Sequence, residues 1–151
     1  RTTRQIFNKS GIQPGQIIYE ITERGLIRED NVVAREVMSK LRERQSHIAL
    51  DDFGTGYSSL SYISSFPLDY LKIDKAFVEA IDTDSLTAGL VDSIIDMAER
   101  LELRIIAEGI ETQEQAEYLR KRGVEHGQGW YYTKALPVAG FIGFIQRFNH
   151  G

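Results

Sequence analysis

The feature of this sequence that most constrains its fold is an apolar run that ends in two adjacent carboxylates. Residues 48–50 read Ile-Ala-Leu, Asp51 and Asp52 follow, and a turn containing Gly54 and Gly56 carries the chain away. Neighbouring side chains on a strand point to opposite faces, so the pattern predicts a buried strand that ends at the aspartates. A bound cation would relieve the repulsion between them, although an Asx-turn or a helix cap would also explain a single pair.

The same arrangement recurs along the chain. Apolar and β-branched runs predict strands over residues 16–23, 48–50, 69–74, 103–107 and 124–130. Apolar residues at helical spacing predict helices over residues 29–44, 86–101, 112–123 and 138–148. This alternation predicts an α/β fold built from parallel β/α units.

Two of these helices can be predicted in more detail. In the first, Val33, Val37 and Leu41 lie four residues apart and should form the apolar face, with Ala34 and Met38 beside them. Residues 82–85 read Asp-Thr-Asp-Ser and should supply the N-cap of the second helix.

Composition excludes several classes of function. A net charge of −4 provides no basic surface for a nucleic-acid duplex. The absence of cysteine excludes disulfides, thiolate chemistry and sulfur-ligated zinc, which leaves metals with oxygen ligands and fits a cytoplasmic location. No apolar run reaches the length of a membrane span, so this segment is expected to make no membrane contact. The chain opens at Arg1, so we expect it to be a piece of a longer protein, which upstream segments could anchor in a membrane.

Polar residues lie at or just beyond the carboxyl ends of the predicted strands. Because the carboxyl ends of parallel strands share one face of a sheet or barrel, these residues should converge. They are Glu20, Glu23, Asp51, Asp52, Lys72, Asp74, Glu108, Glu111 and Gln128. Such a face must bind cations or take up protons, and oxygen ligands favour Mg²⁺, Mn²⁺ or Ca²⁺. Two ions could bridge a phosphate ester and activate a water molecule.

Each of these residues also has a structural explanation. Glu23 and Glu111 suit the first turns of helices, where the helix dipole favours acids. Lys72 would stay charged and could stabilise phosphate oxygens, or it could simply pair with Asp74 or Asp52. Gln128 could satisfy backbone groups.

Five segments resemble, in order, the consecutive motifs of the EAL-domain family. They are Tyr-Glu-Ile-Thr-Glu at 19–23, Asp-Asp-Phe-Gly-Thr-Gly-Tyr-Ser-Ser-Leu at 51–60, Leu-Lys-Ile-Asp at 71–74, Ala-Glu-Gly-Ile-Glu-Thr at 107–112 and Gln-Gly-Trp at 128–130. This family comprises bacterial phosphodiesterases that open cyclic di-GMP to linear pGpG. The resemblance implies a modified, TIM-like (β/α)₈ barrel and a site for two divalent cations, Mg²⁺ or Mn²⁺, with Ca²⁺ inhibitory.

The resemblance implies specific roles for the residues at the strand ends. Glu20 would ligate the first metal, Asp51 would bridge both, and Asp52 and Glu108 would serve the second. Lys72 would contact the attacking water. Lys72 and Glu108 would therefore be catalytic, and Asp52 and Lys72 would also contact the substrate.

Further roles are implied around this centre. Gln128 would lie near the water or a substrate phosphate, as both a catalytic and a substrate-binding residue. Glu23 and Glu111 would steady the loop over residues 53–59, which couples metal, substrate and dimer contacts in this family. Asp74 has no catalytic role that the resemblance assigns.

The Glu-Ala-Leu segment that names the family is absent from this sequence, as is the strand that carries its metal-binding Asn. A barrel of this type has about 250 residues. We therefore expect residues 1–151 to be the C-terminal portion of a single EAL domain, an incomplete barrel of about five β/α units. Trp130 stands where this family usually has Tyr.

These observations lead to two main interpretations of function. In the first, the parent domain hydrolyses cyclic di-GMP, while this chain alone shows little or no turnover because two metal ligands are missing. The alternative is a catalytically silent domain that binds cyclic di-GMP or a partner. An unrelated metal-dependent barrel enzyme is disfavoured by the order of the motifs.

An incomplete barrel should have an open edge. The strand at residues 16–23 would lack an upstream neighbour and would expose backbone donors and acceptors together with apolar side chains. We therefore expect a homodimer or an oligomer paired through strand edges.

Overall fold

A computed structural model of the protein describes residues 9–26, 32–54, 63–82 and 86–148. These residues contain a five-stranded parallel sheet in which the spatial order of the strands follows the chain. The strands are β1 (Ile18–Thr22), β2 (His47–Asp51), β3 (Tyr70–Ile73), β4 (Arg104–Ala107) and β5 (His126–Gly127). Within the described residues the sheet is open, because β1 and β5 are each paired on one side only. This architecture confirms the predicted α/β class with five parallel strands.

Helices connect the strands and cover the sheet. They are α1 (Glu23–Leu26), α2 (Val32–Glu43), α3 (Lys75–Glu79), α4 (Leu86–Arg100), α5 (Gln113–Lys121) and α6 (Val138–Phe148), with short 3₁₀ turns at Pro14–Gln16 and Ala80–Asp82. Thr112 caps α5 in a capping box with Gln115. The predicted N-cap of α4 lies at residues 82–85, of which 83–85 fall outside the described part of the chain.

The core lies between the sheet and its helices and has two parts. One contains Leu71 and Ile73 of β3 packed against Val91, Ile94 and Ile95 of α4. The other joins β2 to α1 and α2 and contains Leu26, Met38, Ile48, Leu50, Ile63, Phe66 and Leu68. These clusters hold the strands rigidly in register, so the residues that follow the strands have fixed positions.

Two predicted elements are present but differ in detail from the prediction. Val33 and Val37 do not form the buried face of α2, since they are 71% and 50% exposed, whereas Met38 is 4% exposed. Met38 and Leu41 turn toward β2 instead. The predicted strand at 124–130 is reduced to the two residues of β5, because Gln128 and Gly129 already belong to a turn that brings the chain back to Ile110.

The last helix exposes much of its apolar surface. Val138, Phe141, Ile142, Ile145 and Phe148 on α6 are between 40% and 78% exposed. None of the helices in the described ranges is both long enough and apolar enough to cross a membrane.

Candidate active site

Lys72 occupies the centre of the polar face formed by the carboxyl ends of the strands. Its ammonium nitrogen Nζ lies 2.7 Å from Glu108 Oε1, 2.9 Å from Glu20 Oε1 and 3.0 Å from Asp51 Oδ1. These carboxylates belong to β1, to β2 and to the residue after β4. The structure therefore brings together four residues that are widely separated in the sequence.

Strand alternation explains how a lysine can occupy this position. Leu71 and Ile73, on either side of Lys72, are fully buried against the helices, so the lysine points to the opposite face of the sheet. The side chain of Lys72 is 6% exposed, whereas that of Glu20 is 51% exposed. The cluster is thus closed at the lysine and open to solvent at the edge strand β1.

The charge of Lys72 is fixed by its neighbours. Burial acts to lower the pKa of Lys72, but hydrogen bonds to Glu108, Glu20 and Asp51 outweigh burial and raise the pKa above its ordinary value. Lys72 is therefore a cation at neutral pH. The alternative that it pairs with Asp74 is wrong, because Asp74 caps α3 and accepts a hydrogen bond from the Ala76 amide at 2.8 Å.

Gln128 contacts the same carboxylate oxygen as the lysine. Its Nε2 donates to Glu108 Oε1 at 2.6 Å, and that oxygen also accepts from Lys72. The main chain holds Gln128 in place, since its N–H donates to the Ala107 carbonyl and its own carbonyl accepts from the Ile110 amide. Main-chain bonds therefore satisfy the backbone of Gln128, and its side-chain amide is directed at the cluster.

Glu23 and Glu111 occupy different surroundings. Glu23 is 2% exposed, and its Oε2 accepts a hydrogen bond from the Gly54 amide at 3.2 Å. This bond connects α1 to the beginning of the loop over residues 53–59, most of which lies outside the described residues. The Glu111 carboxylate accepts instead from Lys75 Nζ at 2.5 Å.

Asp52 follows the end of β2. Its backbone is left-handed, with φ of 55°, and its side chain is exposed. Aspartate tolerates this conformation better than most residues, which suits it to the point where a strand ends. The structure thus separates the paired aspartates, with Asp51 in contact with Lys72 and Asp52 at the surface.

The carboxylates around Lys72 have the chemistry that divalent cations prefer. Glu20, Asp51 and Glu108 supply hard oxygen donors, and each lies within 3.0 Å of one point, the lysine Nζ. As the side chains stand, no three Asp, Glu or His residues in the described ranges are arranged to hold a metal ion. The donor types therefore suit a divalent cation, whereas in the present arrangement all three carboxylates bind the lysine.

Three further residues near this face were not identified from the sequence as functional. Trp130 follows Gln128 by two positions and is 62% exposed, and both Lys75 and Lys134 lie over its ring. The available signals were an aromatic residue directly after the Gln-Gly pair and a lysine directly after a strand. Neither signal shows that the residues meet in space.

Comparison with known proteins places this face in a family context. The family model described as the EAL domain matches residues 1–135. The chain is 45% identical over 144 residues to "Probable cyclic di-GMP phosphodiesterase PdeB" of Escherichia coli K12, covering 95% of this chain and 27% of the relative. It is 39% identical over 137 residues to "Cyclic di-GMP phosphodiesterase PdeL" of the same organism, covering 91% and 38%.

Solved structures of EAL proteins and of a phosphodiesterase are also similar to this chain. One, titled "PaMucR Phosphodiesterase, c-di-GMP complex", matches with a TM-score of 0.83 and 34% identity, over 91% of this chain and 56% of that one. The EAL domain of Mycobacterium smegmatis DcpA matches with a TM-score of 0.85 and 31% identity, over 95% and 64%. The chain thus spans less than two thirds of the length of each of these relatives.

Proposed function

The chain belongs to the EAL domain family, and on this basis we propose that the domain to which it contributes hydrolyses cyclic di-GMP to linear pGpG. The relatives named as cyclic di-GMP phosphodiesterases support this substrate. We propose further that residues 1–151 form the C-terminal portion of one such domain, with Mg²⁺ or Mn²⁺ as its cofactor.

The observation that carries the proposal is the position of Lys72 among Glu20, Asp51 and Glu108. A buried cation surrounded by carboxylates at the ends of parallel strands is suited to phosphoryl chemistry, because it can stabilise charge that develops on phosphate oxygens. The Gln128 amide contacts the same Glu108 oxygen and can orient a water molecule or a phosphate beside it.

Specific residues would carry out the reaction. Glu20, Asp51, Asp52 and Glu108 would hold two divalent cations, which when bound would supply Lewis-acid stabilisation and lower the pKa of a water molecule. Lys72 would position that water against the phosphodiester. Glu23 would act at a distance, by holding the turn at residues 53–54 through the Gly54 amide, and we propose that Glu111 supports the same region.

For the 151-residue chain by itself we expect little or no turnover. Glu20 lies on the open edge strand and is half exposed, so the site is not sealed from water on that side. Electrostatic stabilisation is weaker where water is admitted.

Product analysis tests the proposed activity. A longer protein that contains this chain is incubated with cyclic di-GMP and Mg²⁺ or Mn²⁺, and the nucleotides are separated by chromatography. We expect pGpG from the wild type and none from Asp51→Asn or Lys72→Ala. Asp96→Asn is the matched control, because it removes a carboxylate from a surface ion pair with Arg122. Absence of pGpG from a folded wild type with either ion would contradict the proposal.

The same experiment distinguishes the alternative function. Calorimetry with cyclic di-GMP in Ca²⁺ buffer measures binding without turnover. If the longer protein binds the nucleotide but makes no product with Mg²⁺ or Mn²⁺, the domain is a receptor for cyclic di-GMP and no enzyme.

A further inference from the structure

An exposed tryptophan lies beside the candidate active site with two lysines over its ring. Trp130 is 62% exposed, and its ring centroid is 4.8 Å from Lys134 Nζ and 5.3 Å from Lys75 Nζ. Gln128, two residues earlier, donates to Glu108 in the Lys72 cluster. Within the described part of the chain, an exposed indole therefore lies two residues from Gln128, whose side chain reaches the residues proposed to carry the chemistry.

Two glycines make this arrangement possible. Gly129 packs so closely on Ile110 that any side chain at that position would overlap the Ile110 backbone. Gly109 has φ of 68°, and a side chain there would overlap the alkyl chain of Lys75. Close backbone approach thus sets Trp130 in the turn after β5 and lays Lys75 toward its ring, so the indole is held by local packing.

The two lysines differ in their partners. Lys75 is bound by Glu111 at 2.5 Å and by Glu79 at 3.3 Å. Lys134 has no carboxylate partner in the described part of the chain. One cation at the ring is therefore neutralised, while the other remains available to a ligand.

From these contacts, and resting on the proposed function, we propose that Trp130 and Lys134 form a binding platform for one guanine base of the nucleotide. The base takes the place of the Lys134 ammonium over the indole ring and stacks there, and the displaced ammonium donates to the O6 and N7 acceptors at the edge of the guanine. Adenine offers an amino donor in place of O6, so the lysine discriminates against it. Trp130 accordingly provides affinity, because stacking tolerates any base, and Lys134 provides base preference.

The platform has a built-in reporter, because Trp130 is the only tryptophan in the chain. The 151-residue chain is titrated with cyclic di-GMP and, separately, with cyclic di-AMP in Ca²⁺ buffer, followed by tryptophan emission and by calorimetry. We expect quenching by cyclic di-GMP with the same midpoint as the calorimetric curve. Trp130→Ala should weaken binding by about 5- to 100-fold, while Trp130→Phe should keep most of the affinity.

Two variants separate the parts of the proposal. Lys134→Gln should weaken cyclic di-GMP more than cyclic di-AMP, with quenching at saturation preserved. Phe148→Ala is the matched control, since it removes another aromatic ring that is 63% exposed and should leave the affinity unchanged. Normal binding by Trp130→Ala, or binding without any change in emission, would overturn the platform while leaving the proposed function intact. Absence of binding by the wild-type chain would also overturn the platform, whereas the proposed function is decided separately by the product analysis of the longer protein.

Discussion

The Lys72 ammonium lies 2.7 Å from the Glu108 carboxylate, although 35 residues separate them in the sequence. The pairing of β3 with β4 sets Lys72 opposite Ile106, two residues before Glu108 on the same face of the strand. Because the strands are parallel, charged residues near the ends of separate apolar strands come together in one compact cluster. Its cation is supplied by the protein itself.

Removal of that cation should destabilise the fold when no metal is added. Lys72→Met leaves three carboxylates facing one another with the charge between them gone. Loss of one partner from a fully buried ion pair costs about 3–5 kcal/mol. Because Glu20 is half exposed, we expect about 1–3 kcal/mol here, measured by urea denaturation. Lys121→Met, at the end of α5 on the surface, serves as the control and should change the stability little.

The pH dependence of this effect follows from the raised pKa of Lys72. A raised pKa in the folded state means that the ion pairs stabilise the fold fully below the ordinary lysine value of 10.5 and lose their contribution as the pH rises through the folded-state value. The stability difference between wild type and Lys72→Met should therefore be constant from neutral pH to mildly alkaline pH and should shrink only above 10.5. Urea denaturation at several pH values checks this, and a difference that falls already near neutrality would contradict it.

The strand ends could be predicted from sequence because each combines two local signals. An apolar run identifies the strand, and an acidic residue at its carboxyl end indicates where it stops, as at Leu50 and Asp51 in β2. Parallel topology then places those residues at one end of the sheet. The proximity of Glu20, Lys72 and Glu108 could therefore be predicted from the sequence alone. Predicting this cluster required one assumption about the whole fold, namely that the strands are parallel, and the sheet confirms it.

Other features depend on which helices, strands and turns pack against one another, and the spacing of apolar residues along the sequence does not determine this. The spacing of Val33 and Val37 is helical, yet α2 rotates so that Met38 is buried instead. Lys75 can approach Trp130 only because Gly109 and Gly129 have no side chains and allow close packing. The residues next to these glycines in the sequence do not indicate that such packing occurs. Such contacts are set by packing between units that are distant in the chain.

Glycine substitutions should show how closely the site is packed. Gly129→Ala would drive a methyl group into the Ile110 backbone, so we expect severe destabilisation or failure to fold. Gly89→Ala is the matched control, since Gly89 lies within α4 with open space around it, and this change should stabilise by about 0.5–1 kcal/mol. Thermal denaturation measures both. Equal effects of the two substitutions would show that the close contact between Gly129 and the Ile110 backbone is not needed for stability.

Glu23 should anchor the turn after β2. Glu23→Ala removes the acceptor of the Gly54 amide and leaves space in the core, so we expect a loss of about 1–3 kcal/mol, whereas Glu23→Gln keeps an acceptor and should lose less. Hydrogen exchange at the Gly54 amide is the direct readout, with faster exchange in Glu23→Ala than in Glu23→Gln. Unchanged exchange in both variants would show that the turn is held by other contacts.

The open edge beside β1 should make the chain associate with a second copy. In the described sheet β1 is paired only with β2, so its other edge presents backbone donors and acceptors, and Val33 and Val37 are exposed on α2. We expect two copies to pair through β1, and the combined Val33→Lys and Val37→Lys variant to shift the chain toward monomer. Val138→Lys lies at the start of α6, after β5 at the other edge of the sheet. It should not change the oligomeric state, because pairing through β1 does not involve that edge. Size-exclusion chromatography with light scattering over a wide concentration range measures this, and a monomeric wild type throughout would show that the edge is protected in another way.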